Sequence, residues 1–268
     1  MKLRKLCAIA LVATIGAATV GSAASAAENS LGSEGTVTVS GGIIDPEDPG
    51  SIIDPENPEG PGIDPETPEV IPNPDIESKG IIAVSNLKFG SVEVGTTFVN
   101  AKPIILIGEN DGEDEDSEET DETRGMRADS ETRGNIVSFG DVTGSYTGYT
   151  ITGELTSQFT NDTTTLNGAS ITYTNPLLAT SGTGTIAAAV PASVVLSTEE
   201  GAQTFVSAEE GEGSGLWTLE FGQSATSESG TPGTDANSVQ LAIPASVASA
   251  MTVGTYTATV TWTMGATA

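Results

Sequence analysis

YTATVTWTM, residues 256–264, alternates without interruption. Tyr256, Ala258, Val260, Trp262 and Met264 share one parity; Thr257, Thr259, Thr261 and Thr263, with Thr255 before them, share the other. Successive side chains of a strand point to opposite faces, so the stretch reads as a β-strand with an apolar side and a hydroxyl side. GSGLWTLEFG, residues 213–222, sorts in the same manner. Trp217, Leu219 and Phe221 fall on one face, and Leu216, Thr218 and Glu220 on the other, with Glu220 on the polar, solvent-facing parity. These are the only two tryptophans in 268 residues, and each is followed by threonine and a large aliphatic side chain. Two strands packed in one core explain the pattern, each indole worth roughly 3–5 kcal/mol if cut back to alanine. A surface platform on which sugar rings stack is the functional alternative. Local pattern favours the core, because large aromatics dominate core energetics.

The rest of the region from residue 79 agrees with a strand reading. Tyr149, Ile151, Leu155 and Phe159 alternate with Thr150, Thr152, Glu154, Thr156, Gln158 and Thr160, and Ile171 and Tyr173 with Thr172 and Thr174. Leu87 to Phe89, Val92 to Val94, Val194 to Leu196, Phe205-Val206 and Val239 to Ile243 are further short segments, and Ile104 to Ile107 reads as a strand buried on both faces. Period two, β-branched enrichment and frequent Gly and Asn turns predict an all-β domain over 79–268. One polar face per strand predicts a mainly antiparallel β-sandwich of Ig-like, Greek-key type.

The start of the chain has a different character. Lys2, Arg4 and Lys5 precede an apolar run from Leu6 to Val20, and Ala24-Ser25-Ala26 supplies the small residues of a cleavage site. That order predicts a signal peptide over 1–27 and a secreted protein. The apolar run is too short and too rich in Gly and Ala for a retained anchor, and no later segment reaches membrane-spanning length. The single cysteine, Cys7, leaves with the leader, and the chain has no histidine. Disulfides, Cys-containing metal sites, a Cys nucleophile and a Ser-His-Asp triad are thereby excluded from the mature form. The formal charge is −28, with nine bases against 37 acids; loss of the three leader bases takes it to −31. Such a field repels nucleic acid and anionic membrane surfaces.

Two segments look too polar to pack. IIDPEDPG at 43–50, IIDPENPEG at 52–60 and IDPETPEVIP at 63–72 form a repeat, and nine of the fourteen prolines lie between Pro46 and Pro74. Proline fixes φ and removes amide donors, so residues 28–78 are expected to form a disordered acidic spacer, with the proline repeat in polyproline-II form and on the order of 100 Å long when extended. A calcium site built from the Asp-Pro-Glu repeats is the sharper, less favoured reading. GENDGEDEDSEETDE at 108–122 holds ten acids and opens an insertion, 108–134, that carries Arg124, Arg127 and Arg133. It reads as a surface loop. Carboxylates at Asp111, Glu113, Glu115, Glu119 and Glu122 imitate a calcium loop, but Asp116 stands where an EF-hand turn needs glycine. No metal site and no cofactor is expected.

With these features in place, the chain resembles the WxL family of Gram-positive surface proteins, in its small form. The residues that carry the likeness are LWTLEFG at 216–222 and YTATVTWTM at 256–264, supported by LKFG at 87–90, ETRG at 131–134, GYTITGELTSQFT at 148–160, LNGASITYTNP at 166–176 and VQLAIPASV at 239–247. Met264 stands where the family has its final leucine, and Tyr149 where it often has tryptophan; both keep an apolar body. The resemblance implies noncovalent attachment to peptidoglycan at the cell surface without a sortase signal, and no enzymatic activity. It also implies complexes with other WxL proteins and a membrane-anchored WxL-interacting protein. It nominates Trp217, Leu219, Tyr256, Trp262 and Met264 as required for wall association, either by touching glycan or, as preferred, by holding the binding strands in place.

Three function classes compete. A wall-binding module must rely on local apolar, aromatic and hydrogen-bonding contacts, because a chain at −31 gains nothing from bulk attraction to an anionic wall. An assembly component would add an edge strand, or its threonine-faced last strand, to a partner protein. A carboxylate enzyme such as a glycosidase needs two acids held at a fixed separation. Glu154 and Glu220 are among the few acids in strand-like segments, and neither reads as one of a pair.

Overall fold

The computed structural model describes residues 33–107 and 131–267. The leader, residues 28–32 of the expected spacer, and the calcium-like stretch with Arg124 and Arg127 lie outside the described residues. The chain divides into Met1–Val39 and Ser40–Ala268. Of the first unit, residues 33–39 are exposed and without regular secondary structure.

The second unit is built from short strands joined by turns. A five-stranded sheet has the order β1 (Val70–Pro72), β2 (Lys79–Ser85), β6 (Asn135–Asp141), β12 (Gly215–Phe221), β9 (Pro176–Ala179). A four-stranded sheet runs β10 (Ser193–Leu196), β8 (Ser170–Thr174), β13 (Val239–Ala242), β3 (Phe98–Asn100). A three-stranded sheet runs β11 (Gln203–Ala208), β7 (Tyr149–Thr160), β14 (Thr257–Gly265). β4 (Ile104–Ile105) and β5 (Thr132–Arg133) form a small ribbon. Every pairing between these strands is antiparallel. Among the described residues, helix is confined to single turns at Pro49–Ser51 and Ala245–Ala248. The all-β, mainly antiparallel class expected from alternation is therefore the class observed.

The main core lies between the five-stranded sheet and the other two large sheets. Val137 and Phe139 of β6 and Trp217, Leu219 and Phe221 of β12 meet Tyr149, Ile151 and Leu155 of β7, Phe205 of β11 and Ile171 and Tyr173 of β8. Parity in β7 and β8 is as the sequence predicts: the apolar set is buried and its neighbours are more open. Ile104 to Ile107 departs from expectation. Only Ile104 is fully enclosed and the strand is two residues long, because the run flanks a second core rather than crossing the first.

That second core overturns the spacer reading from Ile44 onward. Ile44, Ile52, Ile63 and Val70 are buried with Ile82, Ala83, Ile104 and Ile136 on the outer face of the five-stranded sheet. Each repeat is a turn, not an extended rod. Asp45, Asp54 and Asp64 accept hydrogen bonds through Oδ1 from the amides of Glu47, Glu56 and Glu66, at 3.0, 3.1 and 2.8 Å. Backbone bonds Asp48 N to Asp45 O, Asn57 N to Asp54 O and Thr67 N to Asp64 O close the same turns. Aspartate at the first position and proline at the second suit this turn, since one side chain caps it and the other presets φ. The isoleucines packed on the sheet stand just before these turns: Ile44 and Ile63 immediately ahead of Asp45 and Asp64, and Ile52 two residues ahead of Asp54. The chain then enters β1, which pairs with β2.

Covering the outer face also changes β12. Leu216, Thr218 and Glu220, expected on a polar face, are largely enclosed; Glu220 has 0% exposure. The five-stranded sheet is the middle of three layers, and β6 is buried along its whole length.

Candidate functional site

The two tryptophans enter the main core from different sheets. Trp217, on β12, is 5% exposed and donates from Nε1 to the Ser214 carbonyl at 3.2 Å. Leu219 beside it is fully buried. Trp262, on β14, is half-buried, with its ring 4.7 Å from Phe205, 5.8 Å from Tyr173 and 6.4 Å from Phe221, stacked on the last at 26°. Phe221 belongs to the Trp217 strand, so the two motif segments meet through an aromatic cluster. The repeated pattern thus has a packing explanation: one apolar strand face from each side of the sandwich.

The other nominated residues flank that cluster. Tyr256, half-buried just before β14, accepts from the Thr252 amide at 3.0 Å and donates to the Thr252 carbonyl at 3.2 Å, closing the turn into the strand. Met264 is half-buried at the far end, beside Lys79, Gly80 and Gly148. Tyr149 is buried, and its hydroxyl donates to the Gly213 carbonyl at 2.8 Å. Burial and the nearby Asp141 carboxylate both hold that phenol in its neutral form, with its pKa raised. Gly213 has φ +73°, and a Cβ there would lie 2.6 Å from the Tyr149 ring, so glycine is required where β12 begins. Lys79 sits over the Tyr149 ring at 5.3 Å and pairs with Asp141 at 2.7 Å.

Around Tyr256 and Trp262 the main core opens into a groove of about 780 Å³. Its walls are the inner face of β14 and the segment 84–92, which contributes Leu87 and Phe89; Tyr173 and Leu241 lie at its floor. Among the described residues none of its lining is acidic, in a chain with 37 acids, and Lys88 is its charged member. Among the described residues β14 is an edge strand, paired with β7 alone. The opposite face of these two strands is mainly an array of hydroxyls, Thr150, Thr152 and Thr156 of β7 and Thr257, Thr259, Thr261 and Thr263 of β14, with Thr156 and Thr261 hydrogen-bonded at 2.8 Å; Glu154, opposite Thr261, and Gln158 share it.

A second polar constellation was not legible in the sequence. Arg133 holds Asp54 in a fork, Nε to Oδ1 and Nη2 to Oδ2, both at 2.7 Å, with Glu56 at 3.7 Å and Glu131 at 3.2 Å. Glu56 receives the Ser224 amide at 2.6 Å and the Ser224 hydroxyl. Glu220 accepts from the Gly134 amide at 2.8 Å, while its Oε2 has no partner. Burial, together with the Glu56 charge, pushes the Glu220 pKa up to about 9. The described residues contain no group of three His, Cys, Asp or Glu disposed to hold a metal ion. Glu154 faces outward from β7 whereas Glu220 is enclosed, so the two acids singled out from sequence lie in different surroundings.

The family model described as "WxL domain surface cell wall-binding" matches residues 26–267. The chain belongs to the WxL family. Comparison with curated proteins and with solved structures gave no match. In this WxL domain the match includes the proline-rich repeats, as the second core would require. No described helix is long and apolar enough to cross a membrane.

Proposed function

We propose that this WxL protein is a secreted, non-enzymatic component of a Gram-positive cell surface, delivered by the signal peptide 1–27 and held noncovalently on peptidoglycan. Family membership across 26–267 is the observation that carries the reading. Trp217, Leu219, Tyr256, Trp262 and Met264 act by bracing β12 and β14. The wall-facing surface is then the threonine array of β7 and β14, whose hydroxyls donate and accept around a single carboxylate, Glu154, in a chain otherwise rich in acids. Mature protein is mixed with purified sacculi and pelleted. Thr257→Glu with Thr259→Glu, both exposed and away from Glu154, is expected to lose pelleting with an unchanged melting temperature, whereas Trp262→Ala loses both together. Full pelleting by the folded double variant would reject this face.

A second reading, assembly with a membrane-anchored WxL-interacting protein and other WxL proteins, draws support from the edge of β14, unpaired among the described residues, beside a groove whose described lining has no acid. Pelleting that occurs only after such a partner is added would favour it.

A further inference from the structure

The groove beside β14 has the attributes of a sandwich lacking one strand. One wall offers the edge of β14 from Thr257 to Trp262, a strand that among the described residues pairs with β7 alone. Within it the apolar side chains Ala258, Val260 and Trp262 are only half covered, as are Leu87 and Phe89 opposite. An occupant that satisfied both features would be an extended segment, with apolar residues inward and polar residues continuing the threonine face. It would also be uncharged, since burying a charge is costly without a partner and the charged residue among the described lining, Lys88, is already paired with Glu69.

One stretch of this chain carries that code. Thr36-Val37-Thr38-Val39 repeats the threonine-apolar alternation of Thr257-Ala258-Thr259-Val260, within an uncharged run from Gly35 to Ile44. Val37 and Val39 are each 88% exposed. Two adjacent valines on one parity, left in water, lose the burial that β-branched strand residues normally gain. We propose that the groove beside β14 receives the Thr36–Val39 strand of a second copy of this chain, with Val37 and Val39 entering beside Val260 and Ala258 and the threonines extending the outer hydroxyl face. This deepens the assembly reading by naming another copy as the partner. Reciprocal exchange closes a dimer, and head-to-tail exchange continues into a chain. Because both contacting surfaces are free of carboxylates while the bodies repel, association should strengthen as salt screens the net charge.

Sedimentation velocity on the secreted protein is the test, with Val37→Asp/Val39→Asp as the variant. The substitutions lie in an exposed segment, so an unchanged melt is expected. The wild type should form concentration-dependent oligomers that grow with salt, and the variant should remain monomeric. A synthetic peptide of residues 35–44, titrated into the variant, should shift the emission of half-exposed Trp262 to the blue. Three results overturn the proposal: a wild type that stays monomeric, oligomers that persist in the variant, or a peptide without effect on emission. Pelleting on sacculi with and without an added partner reports the assembly reading separately, so loss of self-pairing would not be confused with loss of that reading.

Discussion

Glu220 shows how strongly one side chain can record the layer above it. Its carboxyl is enclosed, hydrogen-bonded at one oxygen and unpartnered at the other. Burial is the main cause of a pKa near 9 against an ordinary 4.5. The folded protein therefore binds a proton that the unfolded chain releases, and stability must fall as pH rises through the window from 4.5 to 9. Glu220→Gln keeps the acceptor for Gly134 and removes the ionisation. Thermal melts between pH 5 and 9 should show the variant's advantage over wild type growing with pH, and parallel curves would refute the assignment. Arg133 makes the complementary case. Despite the desolvation that opposes it, its charge is stabilised by Asp54 first and by Glu56 and Glu131, so it remains a cation. Arg133→Met would leave Asp54 and Glu56 buried without a counter-charge, a loss of about 3–5 kcal/mol. Denaturant titration reads that directly, and a change under 1 kcal/mol would mean that the pair is solvated in solution.

At the scale of elements, what could be read from sequence depended on whether a strand buries one face or two. β7, β8 and β14 have one polar face, so alternation marked their inward residues, Ile151, Tyr173 and Trp262 among them. β12 is half legible: alternation places Trp217, Leu219 and Phe221 inward, but it puts Glu220 on a solvent-facing parity because nothing local announces a covering layer. That layer was concealed in the proline repeats. Proline density suggested a solvated rod, yet a solvated rod has no use for an isoleucine ahead of every Asp-Pro, and Ile44, Ile53 and Ile63 recur there. The signal lay in the aliphatic residue of the repeat rather than in its prolines. Truncating Ile63 to alanine should cost about 2–5 kcal/mol, as for a core aliphatic. A free spacer would give no change, so an unchanged denaturation midpoint would restore the spacer reading. The clamp Arg133–Asp54–Glu56 was illegible for another reason: its members lie 79 residues apart in sequence, Asp54 to Arg133, and no local pattern links them.

For the whole molecule, the three-layer arrangement makes the proline-rich segment part of the domain's stability. Ile44, Ile52, Ile63 and Val70 close one side of the middle sheet, and four such side chains bury apolar surface worth about 6–12 kcal/mol. That is comparable with the 5–15 kcal/mol by which an ordinary domain is stable. Removing the segment would also leave Arg133 without Asp54 and Glu56, and would open the face of β6 and β12 that carries Ile136 and Leu216 to water. A chain beginning at residue 79 should therefore lose its cooperative melt and bind a hydrophobic dye, even though both tryptophan strands and the whole main core remain encoded. The measurement is differential scanning calorimetry of the truncated and mature chains side by side. A truncated chain that melts cooperatively within a few degrees of the mature one would show that the main core stands alone and that the repeats only rest on it. Loss of the transition would place the domain's functional boundary ahead of the repeats, and wall binding would then be measurable only with the repeats present.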